Sequence, residues 1–131
     1  MRISEQNVET MQAAYAAWDA GDMDALREMH DPDVIARYPE GWPEPGPFVG
    51  LEAVMRQLEQ LRETWDADAT EANFIDAGDR VVVRGIWRGA GHGPAFALEG
   101  SAVYTLRKGK ISIIEYFRDH AEALEAVGLS E

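Results

Sequence analysis

Near the end of the chain Arg118, Asp119 and His120 stand in consecutive positions, a cation, an acid and an imidazole together, and Glu115 precedes them in IIEYF. A carboxylate whose proton affinity is raised by apolar surroundings can act as a general acid or base. Tyr15 and Tyr38 bring hydroxyls that can polarise a carbonyl, and His92 in GAGHGP has a side chain that titrates near neutrality. Glu115, Asp119, Tyr15, Tyr38 and His92 therefore form the candidate catalytic set. Their shared chemistry is cofactor-independent proton transfer.

Each member also has a purely structural reading. Asp119-His-Ala-Glu122 has the capping-box spacing, in which the first side chain accepts a helix amide and the fourth returns the favour. Glu115 and Asp119, if both lie on an extended strand, are about 13 Å apart at roughly 3.3 Å per residue, too far to share one reacting bond. His92 sits among glycines that join two strands, so the spacing is a turn and not a nucleotide cradle. His30 and His120 read as surface or helix-end residues. With dispersed histidines, no HExxH and no cysteine, neither a metal nor a thiol nucleophile is implied, and no cofactor is expected.

Aromatic residues supply the candidate ligand contacts: Trp18, Trp42, Phe48, Trp65, Trp87, Phe96, Tyr104 and Phe117. Those at helical or strand spacing also serve a core. Trp42 and Phe48 differ, because they lie in PEGWPEPGPFVG (39–50), whose prolines and glycines bar a helix or a central strand. A stiff loop carrying two large rings is suited to line or cover a cavity.

The elements that must position these groups follow from periodicity. Met11, Ala14, Tyr15 and Trp18 mark a helix over about 4–20, with Ser4 as its expected cap and Gly21 as its stop. Asp22 caps a short helix through Met23, Leu26 and Met29 that must end before Asp31-Pro32, and VIARY reads as a strand. Val54, Met55, Leu58, Leu61 and Trp65 stripe a third helix. Beyond it the period becomes two, with strands near 70–77, 80–88, 95–107 and 111–118 and a short final helix ending at Gly128.

Alternation places Phe96, Leu98, Ala102, Tyr104 and Leu106 on one face, expected to meet the helices. In the next strand the same rule groups Ile111, Ile113, Glu115, Phe117 and Asp119, so Glu115 is expected to face inward. Val81, Val83 and Trp87 oppose Val82, Arg84, Ile86 and Arg88, and a strand with apolar groups on both faces predicts a second cover, such as another subunit.

The chain has 131 residues, enough for one domain with one core, and carries 24 acidic against 12 basic side chains. A net charge of −12 repels nucleic acid and anionic membrane, so neither is expected as a partner. There is no apolar run of signal-peptide or membrane-span length, and the expectation is a soluble cytoplasmic protein.

Three stretches in this order, YAAWDAGDMDALREMHDPDV, FVGLEAVMRQLEQL and YTLRKGKISIIEYFRDHAEALEAVGL, resemble the SnoaL-like branch of the nuclear transport factor 2-like superfamily. The resemblance covers nearly the whole chain. It implies one α+β domain over 1–131, a cone-shaped, curved antiparallel sheet wrapped around helices, with a cavity at the wide end and a homodimer through the sheet. Activities in the superfamily are diverse, so the fold selects no reaction. Against the ketosteroid isomerase pattern, the oxyanion tyrosine falls on Ala14 with Tyr15 one position off, the base on Tyr38 before Pro39, and the second acid near Ser101 or Ala102. Ketosteroid isomerisation is thus not implied. Against polyketide cyclases, Asp119 stands in the region of the catalytic acid, with His92 as a partner. The expected function is binding of a hydrophobic small molecule bearing a carbonyl or hydroxyl, with acid-base catalysis on it or, alternatively, as a non-catalytic ligand-binding or dimeric assembly domain.

Overall fold

The computed structural model describes residues 3–39, 46–65, 68–89 and 96–129. Helix α1 (Ile3–Ala20) buries Asn7, Met11, Ala14 and Trp18, which recur every three or four residues and so share one face. It starts before Ser4, which lies inside the helix instead of capping it. Its end is set locally: Gly21 takes φ 75°, its amide bonds the Trp18 carbonyl, and the Asp22 amide bonds that of Ala17. Asp22 then caps α2 (Met23–Glu28), its carboxylate accepting from the Ala25 amide at 3.1 Å.

Strand β1 (His30–Arg37) begins before VIARY and carries Pro32, where its pairing with the neighbouring strand is irregular. After the segment at 40–45, which lies outside the described residues, β2 (Phe48–Val49) pairs antiparallel with β1 at the edge of the sheet. Gly46, at φ 85°, has no room for a Cβ, which would lie 2.8 Å from the Phe48 amide nitrogen and 3.1 Å from the Ala36 carbonyl. This close approach turns the chain so that Phe48 lies on β1. Helix α3 (Leu51–Trp65) buries Val54 and Met55, with Leu58 and Leu61 packed beside them. At its exposed start Glu52 pairs both oxygens with Arg27 of α2 at 2.6 and 3.0 Å.

Strands β3 (Asp68–Ala77), β4 (Arg80–Gly89), β5 (Phe96–Arg107) and β6 (Lys110–Phe117) follow, and α4 (His120–Ala126) closes the chain. The sheet order is β2-β1-β6-β5-β4-β3. All neighbours are antiparallel except β1 and β6, which run parallel. One face packs on α1 and α3 through Val34, Ala36, Val81, Val83, Ala102, Tyr104, Leu106, Ile111 and Ile114. The other bears Val82 and Val103, covered by Ala123 of α4 with Ile75, Phe117 and Val127 around them.

Two expectations about faces need correction. In β6, Leu106 pairs with Ile111 but Thr105 pairs with Ile113, so Ser112 is an extra residue. This bulge reverses the alternation beyond it, putting Ile114 and Tyr116 on the helix-packed face and Glu115, opposite Val103, on the other. Glu115 is therefore not an inward acid. In β4, Val82 is fully buried within a single chain, because α4 supplies the second cover that the sequence assigns to another subunit.

His30 is buried where α2 meets β1, and its Nδ1 lies 2.6 Å from the Leu26 carbonyl. A carbonyl only accepts, so Nδ1 donates in this bond, and it is burial that favours the neutral ring. Burial lowers its pKa below the ordinary 6.5, the bond to Leu26 opposing this. The unfolded chain binds the extra proton more readily, so this stability is complete above pH 6.5 and lost as pH falls below it. The urea midpoint should thus drop between pH 7.5 and 5.5. His30→Gln should flatten that drop, and an unchanged slope would contradict the assignment.

Candidate functional site

The chain has four tyrosines, and all of them meet. Tyr15 reaches across from α1 to Tyr104 of β5, the two hydroxyls 2.8 Å apart with either able to donate. Tyr116 of β6 and Tyr38 at the end of β1 lie close enough to this pair that the phenols act on one another electrostatically. The Tyr38 and Tyr116 rings stack with centroids 4.5 Å apart and planes 10° from parallel. Phe48 meets Tyr38 edge-on at 5.9 Å, and Phe74 meets Tyr15 edge-on at 5.4 Å. Rings in these arrangements attract beyond their buried area, by about 0.5–1.5 kcal/mol per pair. The result is a cluster of four phenols, with Tyr15 and Tyr104 hydrogen-bonded and Tyr38 and Tyr116 stacked.

Burial dominates the electrostatics of this cluster. It raises the pKa of every one of the four phenols above the usual 10, that of Tyr38 to about 12, because a phenolate would be stranded in a poorly solvated space. Near neutral pH they are neutral hydroxyls, each with one proton to give and lone pairs to receive.

A depression of about 480 Å³ opens where β1 and β6 end and α4 begins. It is lined by Arg37, Tyr38 and Pro39 on one side, and by Glu115, Tyr116, Phe117, Arg118, Asp119 and Glu122 on the other. Its volume is in the range of small-molecule sites. Tyr38 and Tyr116 belong both to this wall and to the phenol cluster, whose other members, Tyr15 and Tyr104, pack in the core. The parallel pairing of Arg37 with Glu115 is what brings Tyr38 beside Tyr116.

The structure thus gathers four of the expected residues, Tyr38, Glu115, Phe117 and Asp119, around one opening, and puts Tyr15 and Tyr104 behind it. Phe117 packs under α4, on the face away from the tyrosines. Phe48 is no loop ornament but part of the core. Trp18 is buried, with the Arg62 guanidinium 5.2 Å above its ring. His92 and Trp42 lie outside the described residues, as do the side chains of Trp65, Trp87 and Phe96.

Asp119 has the local role its spacing suggests: it precedes α4 in extended backbone, and its carboxylate accepts from the Ala121 amide at 2.9 Å. His120 is not merely a surface residue, since its Nδ1 lies 2.7 Å from the hydroxyl of buried Ser101, tying α4 to β5. Among the described residues no cluster of three or more His, Cys, Asp or Glu side chains could hold a metal, and no helix is long and apolar enough to cross a membrane.

Sequence reasoning passes over Tyr116. It falls on the wrong parity unless the bulge is known. The available signal is the four tyrosines themselves, a small number of hydroxyl-bearing rings spread over elements that share a core.

This architecture, a curved sheet closing on helices with polar groups at its open end, defines the nuclear transport factor 2-like class. The chain belongs to the SnoaL-like domain family, whose pattern matches residues 11–114. Among solved structures, it is similar to Bal32a from a soil-derived mobile gene cassette (23% identity, TM-score 0.82, covering 88% of this chain and 90% of that one). It is likewise similar to a nuclear transport factor 2-like protein of unknown function from Burkholderia pseudomallei (22%, 0.78, 98% and 99%). A third is TerC, co-crystallised with polyporic acid (26%, 0.76, 93% and 98%). No protein with a curated description matches the chain.

Two measurements follow. Asp119→Ala should lower folding stability by about 1 kcal/mol through loss of the cap, whereas Asp119→Asn, which keeps an acceptor, should cost much less. A larger loss in the Asn variant would point to a role for the charge itself. In an alkaline titration followed by tyrosinate absorbance, no tyrosine should ionise at its ordinary pKa of 10 while the protein is folded. Because the folded pKa values are raised, the associated stability is present below pH 10 and lost as pH climbs toward 12 and beyond. A folded-state phenol titrating near 10 would break this account.

Proposed function

We propose that this protein binds a hydrophobic small molecule bearing a carbonyl or hydroxyl oxygen in the depression at the ends of β1 and β6, with that oxygen held by the Tyr38 hydroxyl. One observation carries the reading: the four tyrosines form one cluster, and two of them, Tyr38 and Tyr116, stack on each other and line the 480 Å³ opening. Neutral phenols suit an uncharged oxygen, and the stacked rings suit a flat apolar body. A relative of 26% identity was co-crystallised with polyporic acid, which is consistent with small-molecule binding on this fold.

Catalysis of proton transfer is the second reading. It is favoured by Glu115, whose place on the depression wall beside Tyr38 and Tyr116 lets a carboxylate and a polarising hydroxyl meet one ligand from two sides. Asp119 also lines the opening, but it already accepts the Ala121 amide. Assembly as a homodimer through the sheet belongs to the same reading. Val82 does not support it, since α4 covers that part of the face within the chain.

Binding can be measured by quenching of tryptophan fluorescence with 2-acetonaphthone and 2-naphthol, a matched ketone and alcohol on one apolar frame. Both should bind the wild-type protein, and Tyr38→Phe should weaken them by about tenfold, the value of one lost hydrogen bond. Glu115→Gln should leave their affinities unchanged, since the carboxylate is assigned to chemistry and not to holding the ligand. Binding that ignores Tyr38→Phe would place the ligand elsewhere.

A further inference from the structure

We infer that Arg37 is a catalytic residue of this site: it meets the negative charge that forms on the oxygen of a bound ketone when Glu115 takes a proton from the neighbouring carbon. The inference rests on the reading of the depression as the ligand site and names an enolisable ketone as its substrate class.

The register of the sheet sets two opposite charges side by side. Arg37 and Glu115 are direct partners in the parallel pairing of β1 with β6, so their side chains leave the same face of the sheet from points about 4.8 Å apart. Both line the depression. Arg27 is paired with Glu52 and Arg80 lies beside Asp79, but among the described residues Arg37 and Glu115 enter no hydrogen bond or ion pair through their side chains. An exposed pair gains little from closing on itself, so both heads stay available to a ligand. The other charges on the wall are placed differently. Asp119 accepts the Ala121 amide, Arg118 is already engaged, and Glu122 belongs to the first turn of α4. Next to Arg37 in the chain, Tyr38 lines the same opening.

A free carboxylate and a free guanidinium at this spacing fit enolisation. The Glu115 carboxylate takes a proton from the carbon next to the ligand carbonyl, the electron pair of the broken C–H bond becomes the C=C bond of an enolate, and the carbonyl π pair moves onto oxygen. Return of a proton to the same carbon completes an exchange, and return to another carbon of a conjugated system completes an isomerisation. Nothing is oxidised or reduced. The enolate oxygen is the costly species. The burial that pushes the Tyr38 pKa up to about 12 by disfavouring a phenolate also disfavours an enolate beside it, and a net charge of −12 repels it further. Tyr38 can give that oxygen a hydrogen bond but no positive charge. The guanidinium of Arg37 gives both, and it stays charged at any ordinary pH.

2-Acetonaphthone carries an enolisable methyl group, so exchange of its methyl protons for deuterium in D2O, followed by NMR, reads this step directly. The wild-type protein should accelerate the exchange over buffer, and Glu115→Gln should abolish the acceleration with the affinity unchanged. Arg37→Met should slow the exchange about a hundredfold, the usual effect of removing one group that stabilises an oxyanion, or to the buffer rate if that is reached first. Its affinity for the ketone should stay within about threefold of wild type, because the charge exists only once the proton has left. Arg37→Lys, which keeps the charge, should recover part of the rate. A cation that merely sits beside a base weakens it, so a bystander Arg37 would instead make exchange faster when removed. Exchange that is unchanged or faster in Arg37→Met, or absent in a wild-type protein that binds the ketone, overturns the inference and leaves the binding proposal standing. Failure of the wild-type protein to bind 2-acetonaphthone overturns both.

Discussion

Hydroxyl groups taken out of water must find partners, and this requirement organises the structure around the site. An unpaired buried hydroxyl costs on the order of 1–3 kcal/mol, so four phenols in one core are tolerable only if they satisfy each other. Tyr15 of α1 and Tyr104 of β5 do so directly, and Tyr38, just past β1, stacks on Tyr116 of β6 beside them. The hydrogen bond between Tyr15 and Tyr104 ties the first helix to the sheet, and the stacking of Tyr38 on Tyr116 ties the end of the first strand to the last. A polar cluster in an apolar core thereby specifies one packing of these elements over its alternatives.

The cluster depends in turn on a small irregularity of the sheet. Without the extra residue at Ser112, Tyr116 would share the face of Ser112 and Arg118, and Glu115 would occupy the interior. The bulge exchanges them, removing a carboxylate from the core and inserting a phenol. Burying that carboxylate would require a cation or several donors beside it. A phenol is uncharged and costs less to bury, and here it stacks on Tyr38. The parallel pairing of β1 with β6 completes the arrangement by laying Tyr38 against Tyr116 at the edge of the opening.

Covering the second face of the sheet is the other consequence of a short chain. Val82 and Val103 sit opposite the main core, and α4 folds back on them with Ala123 at the centre. Its path is held by the Asp119 cap, the Ser101 to His120 contact and the bond from Arg80 to the Ala126 carbonyl. The acids and arginines between β6 and α4 are therefore brought to the rim of the depression by a helix whose own packing is apolar.

Much of this is legible in the amino-acid order, and the boundary is physical. Helix stops at Gly21 and Gly128, caps at Asp22 and Asp119, the inward set of β5 and the succession of helices and strands all depend on groups within a few residues of one another. Local sterics and local hydrogen bonds decide them. Ser4 as a cap fails because the helix already includes Ile3, and the inward reading of Glu115 fails because it assumes an alternation that the extra residue at Ser112 interrupts. The meeting of Tyr15 with Tyr104, 89 positions apart, the reversal of faces at Ser112 and the cover of Val82 by α4 are decided by tertiary structure. Strand register and the closing of the core are cooperative choices over the whole chain, and no single stretch of it carries the energy that selects them.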